Sequence, residues 1–157
     1  MTTTVEMAVN ANRQAADALA RTAKAMPDDK QTWKPLDEGR SALDQVVECG
    51  GGMNLFMSRI LQNRALPEMN PREHERMVAE NDTMEKALAL LEKGTVALLS
   101  AIESFPKEHL GDTIRLPFGG GMDRTFEEVM FMPYWNMTYH TGQINYIQTL
   151  YGDREMH

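Results

Sequence analysis

The chain has 157 residues, 42% hydrophobic and 25% charged, which suits one ordinary globular domain over 1–157 and excludes wholesale disorder. Its 16 basic and 23 acidic residues give a formal charge of −7, and the Lys and Arg do not cluster as a phosphate-binding surface requires, so nucleic acid is not an expected partner. The single cysteine, Cys49, rules out an internal disulfide, no apolar run nears the roughly 20 residues of a membrane span, and the first residues lack a secretory leader; the expectation is a cytoplasmic protein with no membrane partner.

Residues 5–26 place Val5, Val9, Ala16, Leu19, Ala23 and Met26 at spacings of three, four and seven, one stripe of a helix. Asn12 interrupts the stripe, and Pro27 stops the helix because proline disfavours helical backbone in the residue before it. Residues 27–40 read as a connection with Trp33 and Leu36 tucked inward. Ser41 is the expected N-cap of a second helix, with Asp44 three residues on. Its stripe runs from Leu43 through Val47, Gly50 and Met53 to Leu61, ending by Pro67. The polar residues 66–80 read as a long connector, which lets the next helix run parallel to the last.

Asn81 or Asp82 is the expected cap of a third helix, striped by Met84, Leu88, Leu91, Thr95, Leu98 and Ile102 and stopped before Pro106. The stretch Thr113–Leu116 alternates, and then Pro117 and the glycines at 119–121 break regular structure, which predicts a small hairpin or an irregular excursion. Thr125 with Glu128 forms a capping box for a fourth helix. Its stripe includes Phe126, Val129, Met137, His140, Ile144 and Tyr151, and Pro133 inside it predicts a local kink. The fold class is therefore all-α: a four-helix bundle with a long crossover between helices 2 and 3 and a small excursion before helix 4.

His140 is the residue that asks for an explanation. It lies on the apolar stripe of the fourth helix, with Asn136 one turn earlier on nearly the same face. Unpaired, each would cost about 1–3 kcal/mol on burial. A metal, a ligand or a facing polar side chain would each satisfy them, and a plain core histidine is the simplest case. Glu48 stands at the edge of the second helix's stripe, before Gly50, Gly51 and Gly52. Three glycines in a helix cost roughly 1 kcal/mol each relative to alanine, so they allow close helix contact, break the helix, or leave open volume beside Glu48. Cys49 has no neighbouring positive charge in sequence to activate it and reads as a buried spectator. His74, His109 and the terminal His157 read as solvated. Tyr134, Trp135, Tyr139, Tyr146 and Tyr151 read as core or interface, with substrate lining second.

The segments Ser41–Glu48 and Asn136–Ile144, the latter containing His140-Thr141-Gly142-Gln143-Ile144, resemble the two signature segments of the DinB/YfiT-like superfamily. The resemblance covers nearly the whole chain. It implies a divalent metal held by three histidines, at positions that carry Glu48, Asn136 and His140 in this chain. His140 alone keeps the family's ligand type. Glu48 is a credible oxygen ligand for zinc, iron, nickel or manganese, whereas the neutral amide of Asn136 is a weak one. The resemblance implies a small-molecule enzyme of thiol-dependent transferase or hydrolase type, with a low-molecular-weight thiol as partner and Gly51, Gly52 and Tyr139 lining the pocket. The alternative is a metal-free, ligand-binding or stress-associated bundle in which Glu48, Asn136 and His140 form a polar core network. The resemblance also implies a homodimer, built here through the aromatic fourth helix with Leu55 and Phe56.

Overall fold

The computed structural model describes residues 3–36 and 38–157. Among these residues it is mostly helical, with five helices and one two-stranded sheet. Helix α1 (Thr4–Lys24) opens with a capping box in which the Thr3 hydroxyl accepts from the Glu6 amide and the Glu6 carboxylate accepts from the Thr3 amide. Asn12, which breaks the apolar stripe in sequence, is fully buried, and its Nδ2 donates to the carbonyls of Ala8 and Met130 at 2.8 Å each. The interruption is thus a cross-link from α1 to the last helix.

Helix α2 (residues 42–63) starts where expected, with the Ser41 hydroxyl accepting from the Asp44 amide. It is not one regular helix. Ala42–Val47 and Phe56–Asn63 are α-helical, and Glu48–Leu55 between them is π-helical. Bonding i→i+5 in place of i→i+4 shifts the buried face along the helix. Met53, expected on the stripe, is only half-buried, and Asn54 is fully buried instead.

The expected polar connector contains a further helix, α3 (Glu73–Glu80), with Glu73 and Glu75 in its first turn, where acidic side chains suit the helix dipole. Met77 and Val78 fasten it to the core. Two apolar residues in one short helix set no readable period, which is why the sequence pattern missed it. Helix α4 (Met84–Glu103) is capped by Thr83, whose hydroxyl accepts from Lys86, and not by Asn81 or Asp82. Strands β1 (Thr113–Leu116) and β2 (Met122–Thr125) pair antiparallel, Thr113 opposite Thr125, so of the two excursions open in sequence the hairpin forms. Its turn carries Gly119, Gly120 and Gly121 at φ of 57°, 81° and 100°, backbone that glycine adopts without steric cost. Helix α5 (Phe126–Leu150) begins at the expected Thr125–Glu128 capping box and runs unbroken through Pro133.

Helix α1 lies along α4 and α5, and α4 lies along the π-helical part of α2. That last crossing is very close: a Cβ on Gly94 would stand 2.2 Å from the Gly50 carbonyl oxygen. One apolar cluster, with Leu19, Val46, Leu91 and Ile144, fills the end that holds Glu48 and His140, and a second, with Ile60, Leu98, Leu116 and Phe126, fills the hairpin end. Leu36 departs from expectation, being 95% exposed at a positive φ, while Trp33 packs against the core as predicted. Among the described residues no helix is long and apolar enough to cross a membrane.

Candidate functional site

The seam between α2 and α5 brings Glu48, Asn136 and His140 into one hydrogen-bonded group. His140, 3% exposed, sets Nε2 3.0 Å from Glu48 Oε1. Its Nδ1 lies 2.9 Å from Gln45 Oε1 and 2.8 Å from Gln143 Oε1. Each ring nitrogen of His140 thus faces an oxygen acceptor, the two amide carbonyls at Nδ1 and the carboxylate at Nε2. The other Glu48 oxygen takes Arg40 Nη1 at 2.5 Å. Asn136 Nδ2 reaches Glu48 Oε1 at 3.4 Å, and its Oδ1 accepts from the Cys49 thiol at 3.3 Å.

These contacts set the electrostatics. The hydrogen bond from His140, opposed by burial and helped by Arg40, pulls the Glu48 carboxyl down to about 2, so Glu48 is an anion at neutral pH. Burial and the adjacent Glu48 charge push the Cys49 thiol well above the ordinary thiol range. Cys49 is therefore an inert donor, as its sequence neighbours suggested. None of the other histidines joins this group: His74 is exposed on the rim of a cleft that Glu48 also lines, while His109 and His157 bond Asp112 and Asp153 at 2.6 and 2.8 Å.

The predicted pocket residues fall on two separate clefts. Gly51 and Gly52 border one of about 370 Å³ that Glu48 also lines, with Phe56, Met77 and Phe118 as apolar wall. Tyr139 borders another of about 400 Å³, with Arg40, Gln45, Gln143 and Tyr146. The three glycines divide their tasks. Gly50 lets α4 approach, a Cβ on Gly51 would collide with Met77 of α3, and Gly52 faces open volume beside Glu48, where a Cβ would meet its Cγ at 3.6 Å. Tyr134, Trp135, Tyr139 and Tyr146 are 39–66% exposed, so none of them is core; Trp135 stacks on Tyr139 with centroids 5.4 Å apart.

Comparison with known proteins matches the DinB superfamily over residues 11–144. The chain belongs to the DinB superfamily. Two solved structures of similar fold are the mycothiol-dependent maleylpyruvate isomerase and a histidine-to-alanine mutant of it, each with a TM-score of 0.70, at 14% and 13% identity, over 92% of this chain. This chain spans 63% of the length of each. No protein of curated function matches it.

For a DinB-superfamily seam, the donor set of this chain does not fit a metal. Both Glu48 oxygens already carry donors, one of them a guanidinium whose positive charge opposes a second cation. Asn136 turns its nitrogen toward Glu48 and gives its oxygen to Cys49. Among the described residues no three His, Cys, Asp or Glu side chains converge as a metal site would need. Arg40, Gln45 and Gln143 went unnoticed as site residues in the sequence. Gln45 lies three before Glu48 and Gln143 three after His140, so i, i+3 spacing would have found both. Arg40 precedes the cap of α2, outside any periodic pattern.

Proposed function

We propose that this DinB-superfamily protein binds a small molecule beside a metal-free Arg40–Glu48–His140 network that charges and orients the site. The observation that carries this reading is closure: both carboxylate oxygens of Glu48 and both ring nitrogens of His140 are bonded within the protein. A carboxyl held near 2 is a weak base at neutral pH, and an imbedded imidazole with both nitrogens engaged has none left for a ligand, so binding is favoured over turnover. A low-molecular-weight thiol is the partner class that membership of the superfamily and the mycothiol-dependent neighbours support. In the same reading α1, α2, α4 and α5 form the superfamily's four-helix bundle, with residues 64–83 as its crossover. A homodimer would use the exposed aromatic end of α5 around Tyr134 and Trp135, and sedimentation at two concentrations tests that pairing.

Elemental mass spectrometry on untagged protein, wild type beside His140→Ala, is the test. Well under one equivalent of nickel, zinc, iron or manganese is expected in both. The variant should melt about 5 °C lower, because the Glu48, Gln45 and Gln143 oxygens lose their donor at roughly 2 kcal/mol. About one equivalent in the wild type, lost in the variant, would overturn the reading in favour of a metal-dependent transferase or hydrolase.

A further inference from the structure

We infer that the cleft beside Arg40 is a seat for a small planar carboxylate, an assignment that rests on the network just described and adds a second ligand class to the thiol. In a chain of net charge −7, Arg40 is the one charged residue among the described residues that line this cleft. Of its five N–H groups, Nη1 serves Glu48 and Nη2 lies 3.4 Å from the Asp44 carbonyl, so one edge of the guanidinium is open to a second anion. The Arg40 side chain is 42% exposed and borders both this cleft and a neighbouring one lined by Lys34, Glu38 and Asp44.

Gln45 adds an independent sign. It is 1% exposed and lines the cleft, with its oxygen 2.9 Å from His140 Nδ1. Its oxygen shares a single imidazole N–H with Gln143, so either amide can turn to a ligand while the other keeps His140 in place. The walls select for shape. Tyr139 and Tyr146 stand two turns apart on α5, with Gly142 between them, where a Cβ would meet nothing within 4 Å. A flat group would lie over Gly142 against a tyrosine ring, its carboxylate toward Arg40.

Benzoate and its neutral isostere benzamide are the probes, titrated by calorimetry and by tyrosine NMR shifts. Benzoate should saturate one site and benzamide should bind at least tenfold more weakly. Arg40→Gln should weaken benzoate at least tenfold. Gly142→Leu, which fills the gap without touching the network, should abolish benzoate binding at an equal or higher melting temperature. Equal binding of the two probes, benzoate binding that survives Gly142→Leu, or no benzoate binding at all would overturn the assignment. Metal content of the same samples separates the two readings: stoichiometric metal with benzoate selectivity intact overturns the metal-free network alone, and no metal with no selectivity overturns the cleft alone.

Discussion

Two polar clusters hang from the π-helical stretch of α2, and they differ in kind. Around Glu48 an ion pair with Arg40 is joined by His140, whose imidazole meets Gln45 and Gln143, and the cluster borders open clefts. Six residues on, Asn54 is fully buried and neutral. Its Nδ2 donates to Thr95 Oγ1 at 3.1 Å and lies 3.5 Å from Met137 Sδ, while its Oδ1 has no partner among the described residues. Burial of a polar residue therefore does not by itself mark a site. What separates the clusters is saturation by several elements and an outlet to solvent. Asn54 sits inward because the π turn carries it there.

The largest expected effect tests whether the close α2–α4 crossing holds the turn that both clusters share. In Gly94→Ala the new Cβ would lie 2.2 Å from the Gly50 carbonyl oxygen and 3.1 Å from Asn54 Cβ. Backbone cannot rotate aside, so the helices must part, at about 3 kcal/mol by analogy with overpacked cores. Gly52→Ala is the control, since its Cβ would meet Glu48 Cγ at an ordinary 3.6 Å, and better helix propensity should leave stability equal or higher. Urea titration reads both. A Gly94→Ala protein within about 0.5 kcal/mol of wild type would break the argument that this crossing positions the clusters.

The same turn marks the limit of what the sequence conveys. The long helices, the Thr125 capping box and the placement of His140 and Asn136 on a buried face were legible, because 3.6-residue periodicity and cap chemistry are local. The π segment was not legible, since the stripe continued through Gly50 and Met53 on α-helical spacing; its register depends on α4 pressing against Gly50. Helix α3 was hidden for a similar reason, being held by Met77 against Gly51 and not by its own amphipathic pattern. The pairing of Glu48 with His140 followed from the superfamily resemblance, but Arg40 as the second partner needed the chain path of residues 27–41, which no pattern sets.

A smaller effect sharpens the claim that the Glu48 cluster is electrostatic. The folded Glu48 carboxyl sits near 2, below its ordinary value of 4.5, with Arg40 and His140 as the groups that hold it and the neutral Cys49 thiol beside it. The unfolded chain therefore takes up the proton first as pH falls, so this stability is full above about pH 4.5 and lost by about pH 2. At neutral pH the wild type should exceed Glu48→Gln by on the order of 2 kcal/mol, and the gap should close across that window. Subtracting the two curves removes the exposed carboxylates Glu6, Asp82 and Asp153, which also titrate low. A gap that stays constant from pH 7 to pH 2 would show that Glu48 acts through packing instead.

The smallest expected effect belongs to the Asn54 cluster. Asn54→Leu with Thr95→Val replaces both hydrogen-bonding partners with apolar groups of similar size and removes the orphaned Oδ1. Such paired replacements come out near neutral or slightly stabilising, because no desolvated group is left alone. The change should lie within about 1 kcal/mol of wild type, on the stabilising side. The same treatment of Glu48 and His140 cannot be neutral, since it strands Arg40 and leaves Gln45 and Gln143 facing an apolar side chain. That double replacement should cost about 2 kcal/mol or more. Equal costs at the two positions, read in the same urea titrations, would erase the distinction between a polar cluster that the fold tolerates and one that it is built around.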